Sequence, residues 1–343
     1  MRVAVFSTQP YDRKFLSEAN QRLINAGGPR AGHELGFYES RLTAESVALA
    51  FGIPAVCVFV NDELDPLVLS MLSGGETKVI AMRCAGFSNV NVAEAKRLGI
   101  TIARAHAYSP HAVAEHTIGL MLAPNRKLLS AHARIREGNS DLDGLLGFDL
   151  YGKTVGVIGT GRIGTIVTQI LTGFGCQVLL NDVQRNPLLA NAGAKYVEID
   201  TLLAESDVIT LHCPLTPETH HLINRESLAK SKPGVMLINT SRGGLIDTTA
   251  AVHSLKTGQL GFLGLDVYEE ESGIFFRGLS DHVIQDDTSL RLLTFPNVLI
   301  TRHQAFFTIE SMRAIAEITL ANLTTFERGE PLGANQVSVD MIR

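Results

Sequence analysis

Apolar runs rich in β-branched residues punctuate the first part of the chain, at Arg2 to Phe6, Glu34 to Tyr38, Ala55 to Val60, Val79 to Met82 and Thr101 to Arg104. Between them, stretches such as "DRKFLSEANQRLINAG" and "NVAEAKRLG" return apolar residues at helical spacing. Strands alternating with helices predict β-α-β units around a parallel sheet. Pro110 to Arg136 reads as one long helical stretch, with a proline at its first turn and Glu115 close behind. Pro124 falls inside it, where a proline kinks or splits a helix. A second series of strands follows at Thr154 to Ile158, Gln177 to Asn181, Val208 to Leu211, Val235 to Asn239, Gly261 to Leu265 and Val298 to Ile300. Six such strands match one doubly wound nucleotide-binding fold. The amphipathic helix from Ile309 to Arg328 is too little for a domain and is expected to pack back on the first one.

Composition narrows the class. A length of 343 residues suits two domains, each with its own core. With 45% hydrophobic and 19% charged residues and a formal charge of -5, the chain is globular and offers no cationic field for nucleic acid or anionic lipid. Cys57, Cys84, Cys176 and Cys213 have no CxxC pair or metal-ligand spacing and sit in or beside apolar runs, as reduced, mostly buried thiols do. A cytoplasmic location and no metal centre are the expectations. The N-terminal apolar stretch is too short for a signal peptide, and the longest apolar stretch, Val47 to Val60, is interrupted by Gly52 and Pro54. Neither export nor membrane insertion is expected.

The segment "KTVGVIGTGRIG" carries a strand into Gly159-Thr160-Gly161-Arg162-Ile163-Gly164. In such a loop Gly159 permits the tight turn, Gly161 lets the backbone approach a pyrophosphate, and Gly164 lets the helix lie near the strand. A lone GxGxxG is weak, but here a strand precedes it, a helix follows, and the next strand ends in Asp182, placed to accept from both ribose hydroxyls. That carboxylate repels a 2′-phosphate and argues for NAD over NADP, against which only Arg185 counts.

"INTSRGGLID" puts Arg242 just past a strand end, where a guanidinium can hold a carboxylate by two parallel hydrogen bonds. "GLDVYEEE" and "LITRHQAFF" bring Glu271 and His303 to two further strand ends. Hydride transfer to a ketone needs a proton donor poised near neutrality, which His meets best, and a carboxylate on the other ring nitrogen would orient it. Taken singly, each has a bland reading as a salt-bridge partner, a solvated glutamate or a structural histidine. Together they suit a 2-oxo acid.

These motifs resemble those of the D-isomer-specific 2-hydroxyacid dehydrogenases, most closely the NAD-dependent fermentative D-lactate dehydrogenases among them. The likeness runs nearly end to end through "MRVAVFSTQPYD", "CVFVND", "RCAGFSNV", "AYSPHAVAEHTIGL", "YGKTVGVIGTGRIG", "LHCPLTPET", "NTSRGGLID", "LDVYEEE" and "RHQAF". The resemblance implies Arg242 as the substrate-binding arginine, Glu271 as the carboxylate tuning the acid/base His303, and Glu269 and Glu270 as bystanders. It implies that the backbone of Ala85 and Gly86 receives the substrate carboxylate, that Tyr108 donates a hydroxyl, and that Phe306 forms an apolar wall. On the cofactor side it implies Gly159, Gly161, Arg162, Ile163 and Gly164 at the pyrophosphate, Asp182 at the ribose, Cys213 and Pro214 near the adenosine, and Thr240, Ser241 and Asp266 toward the nicotinamide. Two positions depart from the family pattern: Ala105-His106 stands where relatives have Val-Pro, and Thr219 where many have Asn. Glu271 argues against the related formate dehydrogenases, whose matching residue is Gln.

The implied architecture is α/β, with two doubly wound parallel-sheet domains and a cleft between them. Residues 1–103 and 305–343 would form a flavodoxin-like substrate domain, and residues 104–304 an inserted Rossmann NAD-binding domain. The implied reaction is reversible reduction of pyruvate to D-lactate by NADH. Bulkier 2-oxo acids or hydroxypyruvate remain open as substrates, because an apolar pocket separates them by only ~1 to 3 kcal/mol per methylene. A nucleotide-sensing corepressor on the same fold is the reading from another class. The family also implies a homodimer or homotetramer, and the apolar run "AVAEHTIGLMLA" is in keeping with one.

Overall fold

The computed structural model describes residues 1–28, 30–269 and 291–341. They form two compact units, residues 1–109 with 307–343 and residues 110–306. The chain thus changes unit at Ser109/Pro110 and Phe306/Phe307, a few residues after the expected 103/104 and 304/305. The reason is local. Pro110 opens a helix that packs on the second sheet, so everything from Pro110 onward goes with it.

The first unit runs β1 (Arg2–Val5), α1 (Pro10–Gly27), β2 (Glu34–Phe37), β3 (Ala55–Val58), α2 (Pro66–Gly74), β4 (Val79–Met82), α3 (Val92–Arg97) and β5 (Thr101–Arg104). All its strand pairs are parallel, in the order β2-β1-β3-β4-β5, the flavodoxin-like winding. The terminal helix Ile309–Glu327 packs against α1, β4 and β5, as its apolar stripe required. β3 and β4 are buried throughout, which is why they read as continuous apolar runs without alternation.

The second unit comprises α4 (Pro110–Asn125), α5 (Leu128–Arg136), β6 (Thr154–Ile158), α6 (Arg162–Gly173), β7 (Gln177–Asn181), α7 (Pro187–Asn191), β8 (Lys195–Tyr196), α8 (Ile199–Glu205), β9 (Val208–Leu211), α9 (Arg225–Lys230), β10 (Val235–Asn239), α10 (Thr248–Thr257), β11 (Leu260–Leu265) and β12 (Val298–Ile300). Its parallel sheet has the order β12-β11-β10-β9-β6-β7-β8, doubly wound outward from the first strand, β6. Among the described residues the sheet has seven strands where six were expected. The additional β8 is two residues of mixed polarity, too short for a pattern to announce, and exists only because Leu179 and Leu180 offer it a ladder. Alternate residues serve opposite faces. Val155, Val157, Met236 and Ile238 join α4 and α6 in one core, while Ile158, Leu237, Leu263 and Leu265 join α8 to α10 in another. Each fully buried Leu or Ile contributes roughly 1.5–3 kcal/mol.

The long helical stretch is split. Pro124 lies in the last turn of α4, and Lys127 adopts left-handed backbone (φ +51°) before α5 begins.

Candidate active site

The register of the second sheet aligns its strand ends. Asn181 pairs with Ile158, Ile158 with Leu211, Leu211 with Asn239, Asn239 with Leu265, and Leu265 with Ile300. The residues that follow these ends, Asp182, Gly159, His212, Thr240, Asp266 and Thr301, therefore form one row along the carboxyl edge, where open α/β sheets bind ligands.

At the centre of the row the glycine loop has the shape a pyrophosphate requires. Gly159 has φ +95°, and a Cβ there would collide with the backbone of His212 and Cys213. A Cβ at Gly164 would strike the Gly159 carbonyl, so only glycine lets α6 start this close to β6. A Cβ at Gly161 would meet nothing within 4 Å. The loop is thus packed on its inner side and open where a phosphate would approach, at the N-terminus of α6 with exposed Arg162 and half-buried Ile163 behind it. Asp182 accepts hydrogen bonds from the Thr160 amide and hydroxyl and from the Gln184 amide (2.9 Å), so the carboxylate is already oriented against the loop. Cys213 is buried, and burial pushes its thiol up to about 11, leaving an unreactive wall. Exposed Pro214 begins a turn that Thr219 closes, its hydroxyl donating to the Pro214 carbonyl at 2.7 Å. Thr219 thus has a structural task here in place of the family's Asn.

Arg242 is exposed, on a turn built by its neighbours. Buried Asn239 donates to the Arg242 carbonyl (2.8 Å) and accepts from the Ser241 amide (3.0 Å), while the Ser241 hydroxyl donates to the Cys213 carbonyl (2.7 Å). Gly243 lies so near the Tyr268 carbonyl that a Cβ would not fit, which binds the Arg242 turn to the segment after β11. Thr240 shares a hydroxyl hydrogen bond (2.9 Å) with Thr117 of α4. Neither Asn239 nor Gly243 was singled out from sequence, although both lie inside the motif "NTSRGG".

His303 is half-buried and holds left-handed backbone (φ +45°), a conformation that costs a non-glycine residue about 1–3 kcal/mol. Asp266 maintains it. The Asp266 carbonyl accepts from the His303 amide (2.7 Å), and its carboxylate accepts from the Gln304 amide (2.9 Å), the Ala305 amide (2.8 Å) and the Thr301 hydroxyl. His116 Nε2 of α4 lies 3.1 Å from Thr301 Oγ1 and 3.4 Å from Asp266 Oδ1. Burial pushes the Asp266 carboxyl up, but the hydrogen bonds from His116, Thr301 and the two amides outweigh it and hold the group below the usual carboxylate range. Asp266 is buried, and its carboxylate lies under the His303 turn at the end of β11. His116 and Thr301 escaped the sequence reading because their partner is distant in the chain. Glu270 and Glu271 lie outside the described residues. Glu269 is engaged, accepting from His221 Nε2 (2.6 Å) and from the Thr248 hydroxyl (3.0 Å).

In the first unit, the "RCAGF" turn follows β4. Arg104 donates to the Ala85 carbonyl (2.9 Å) and the Cys84 thiol to the Gly86 carbonyl (3.2 Å), which leaves the Ala85 and Gly86 amides without an acceptor among the described residues. Beneath the turn, Arg83 is buried, donating to the Phe6 carbonyl (3.1 Å) and paired with Asp12 (3.3 Å). At the Ala105-His106 departure, the Ala105 amide donates to the Met82 carbonyl (3.1 Å), continuing the ladder of β5 with β4. Tyr108 and Phe306 are both half-buried, the first close to where the chain enters the second unit and the second at the last residue of that unit.

Residues 118–305 match the family model "D-isomer specific 2-hydroxyacid dehydrogenase, NAD binding domain". The chain is 50% identical over 330 residues to a 2-hydroxyacid dehydrogenase homolog of Haemophilus influenzae, covering 96% of this chain and 97% of that one. It is 48% identical over 330 residues to the D-lactate dehydrogenase of Escherichia coli, covering 96% and 98%. A solved structure described as the pyruvate reductase of Chlamydomonas reinhardtii superposes with a TM-score of 0.92 at 42% identity, covering 97% and 98%.

Proposed function

The chain belongs to the D-isomer-specific 2-hydroxyacid dehydrogenases, and from that premise we propose that it reduces pyruvate to D-lactate with NADH, reversibly. NAD is its cofactor. The observation that carries the reading is the row of strand ends, which sets the glycine loop and Asp182 beside the turns that bear Arg242 and His303. Similarity to relatives named for lactate and pyruvate supports the choice of substrate.

In this reading Gly159, Gly161, Arg162, Ile163 and Gly164 cradle the pyrophosphate, and Asp182 holds the adenosine ribose against Cys213 and Pro214. The reduced nicotinamide supplies the hydride. Arg242 binds the substrate carboxylate through its planar fork, with Ala85 and Gly86 amides and the Tyr108 hydroxyl as further donors and Phe306 as the apolar wall. His303 gives a proton to the carbonyl oxygen as it becomes a hydroxyl, and Glu271 favours the imidazolium that does so. Thr240, Ser241 and Asp266 support the nicotinamide side, and Asp266 also holds the His303 turn. The unit of residues 1–109 and 307–343 serves as the substrate domain and that of residues 110–306 as the nucleotide domain.

We also assign a homodimer or homotetramer. α5 has no buried residue, and Leu129 (62% exposed), Ile135 (64%), Leu146 (92%) and Tyr151 (79%) leave large apolar side chains in solvent on and after it. Among the described residues no helix is long and apolar enough to cross a membrane. The deciding experiment compares kcat/KM with NADH for pyruvate, hydroxypyruvate, 2-oxoisocaproate and phenylpyruvate. Pyruvate should lead, and a lead for any of the others would replace it as substrate. Tight NADH binding without turnover of any would point to a sensor.

A further inference from the structure

Outside the residues assigned to the reaction, His220, His221 and Glu269 bring two imidazoles and a carboxylate together on the surface of the second unit. One potential ligand atom from each lies within 4.8 Å of the others. The arrangement has a specific origin. Side chains of adjacent residues normally point apart in an extended chain, yet the two rings stack with centroids 3.9 Å apart and planes at 25°. His221 makes this possible by taking left-handed backbone (φ +51°), a strained conformation for a residue of its kind. Two hydrogen bonds to its backbone hold it there: the His221 amide donates to the Gly244 carbonyl (2.8 Å), and the Asn224 side-chain Nδ2 donates to the His221 carbonyl (3.0 Å). The carboxylate arrives from the segment after β11. Its Oε1 is 2.6 Å from His221 Nε2, and its Oε2 accepts from the Thr248 hydroxyl (3.0 Å).

A hydrogen bond between His221 and Glu269 needs no second imidazole and no strained turn to bring one alongside. We propose that His220, His221 and Glu269 form a binding site for a divalent transition-metal ion of the zinc class. Two nitrogens and one carboxylate oxygen are a zinc donor set. Tetrahedral bonds of about 2.0–2.2 Å place ligand atoms roughly 3.4 Å apart, so modest side-chain rotations close the present spacing. Thr248 fixes the second carboxylate oxygen, as outer partners of metal ligands do. Because His220 and Glu269 are exposed, water completes the coordination. The ion would tie the 219–221 turn to the segment after β11, beside the Gly243 contact that anchors the Arg242 turn. The site goes beyond the proposed dehydrogenase reaction, which does not use it.

The test uses the untagged, chelator-treated full chain titrated with Co²⁺, whose visible absorption reports ligand number and type, and with Zn²⁺ followed by thermal unfolding. Wild type should develop the visible band of a low-coordinate cobalt site, and zinc should raise its Tm. His220→Ala, which keeps the His221–Glu269 hydrogen bond and so spares the fold, should weaken cobalt binding by at least ~10-fold, and Glu269→Gln should do the same. A wild type without the band or without the zinc shift overturns the proposal, as does either variant binding cobalt with wild-type affinity.

Discussion

At the scale of single residues, Asp266 carries a task that its motif does not announce, holding the His303 turn. Two backbone amides, the Thr301 hydroxyl and His116 converge on its carboxylate. Asp266→Asn turns one acceptor oxygen into a donor facing other donors, at a cost of about 1–3 kcal/mol. Release of the His303 turn should lower kcat for pyruvate by about 10- to 100-fold. The pH dependence has a definite sign. A carboxylate held below its unfolded value of about 3.9 stabilises fully above that pH and loses its contribution as pH falls through the folded value. Urea melts should show the gap between wild type and variant shrinking below about pH 4, and a gap of constant size would refute the assignment. His303→Ala should reduce kcat by ~100-fold or more while NADH affinity, measured by fluorescence titration, stays nearly unchanged. A large loss of NADH binding would instead give His303 a cofactor role. Asp182→Ala should weaken NADH and narrow its advantage over NADPH, because the variant loses ribose contacts and phosphate repulsion together. Equal use of both cofactors by wild type would contradict the ribose assignment.

At the scale of elements, most strands were legible because two-sided burial demands continuous apolar runs, and eleven of the twelve among the described residues were foreseen within a residue or two at each end. β8 was not, since two residues carry no period. Gly159 and Gly164 were legible for the same reason they are irreplaceable, a tight turn with a short-range pattern. Gly243 shows the opposite case, where the need arises from residues distant in sequence. Gly243→Ala would push the Arg242 turn off the Tyr268 backbone, which cannot rotate aside as a side-chain tip would. It should cost about 1–3 kcal/mol of stability and raise KM for pyruvate more than KM for NADH. Steady-state kinetics with both substrates varied is the check, and equal effects would detach the turn from substrate binding.

At the scale of the molecule, multi-angle light scattering should find a dimer or tetramer at micromolar concentration. Replacing Leu129 and Ile135 together with Glu should shift it toward smaller species without unfolding, since neither side chain belongs to a core. A fully active wild-type monomer would dispose of the assignment. The sequence alone determined the α/β class, the parallel sheets, the dinucleotide loop and the residues on strand ends, because each depends on patterns a few residues long: alternation, helical spacing, a glycine turn. Tertiary structure decided which of those residues support each other. Asp266 under His303, His116 beside Thr301, Gly243 against Tyr268 and Glu269 against His221 are pairings set by strand register and helix packing. They join segments that meet only once the sheet has assembled, and no local pattern in the chain encodes which will meet.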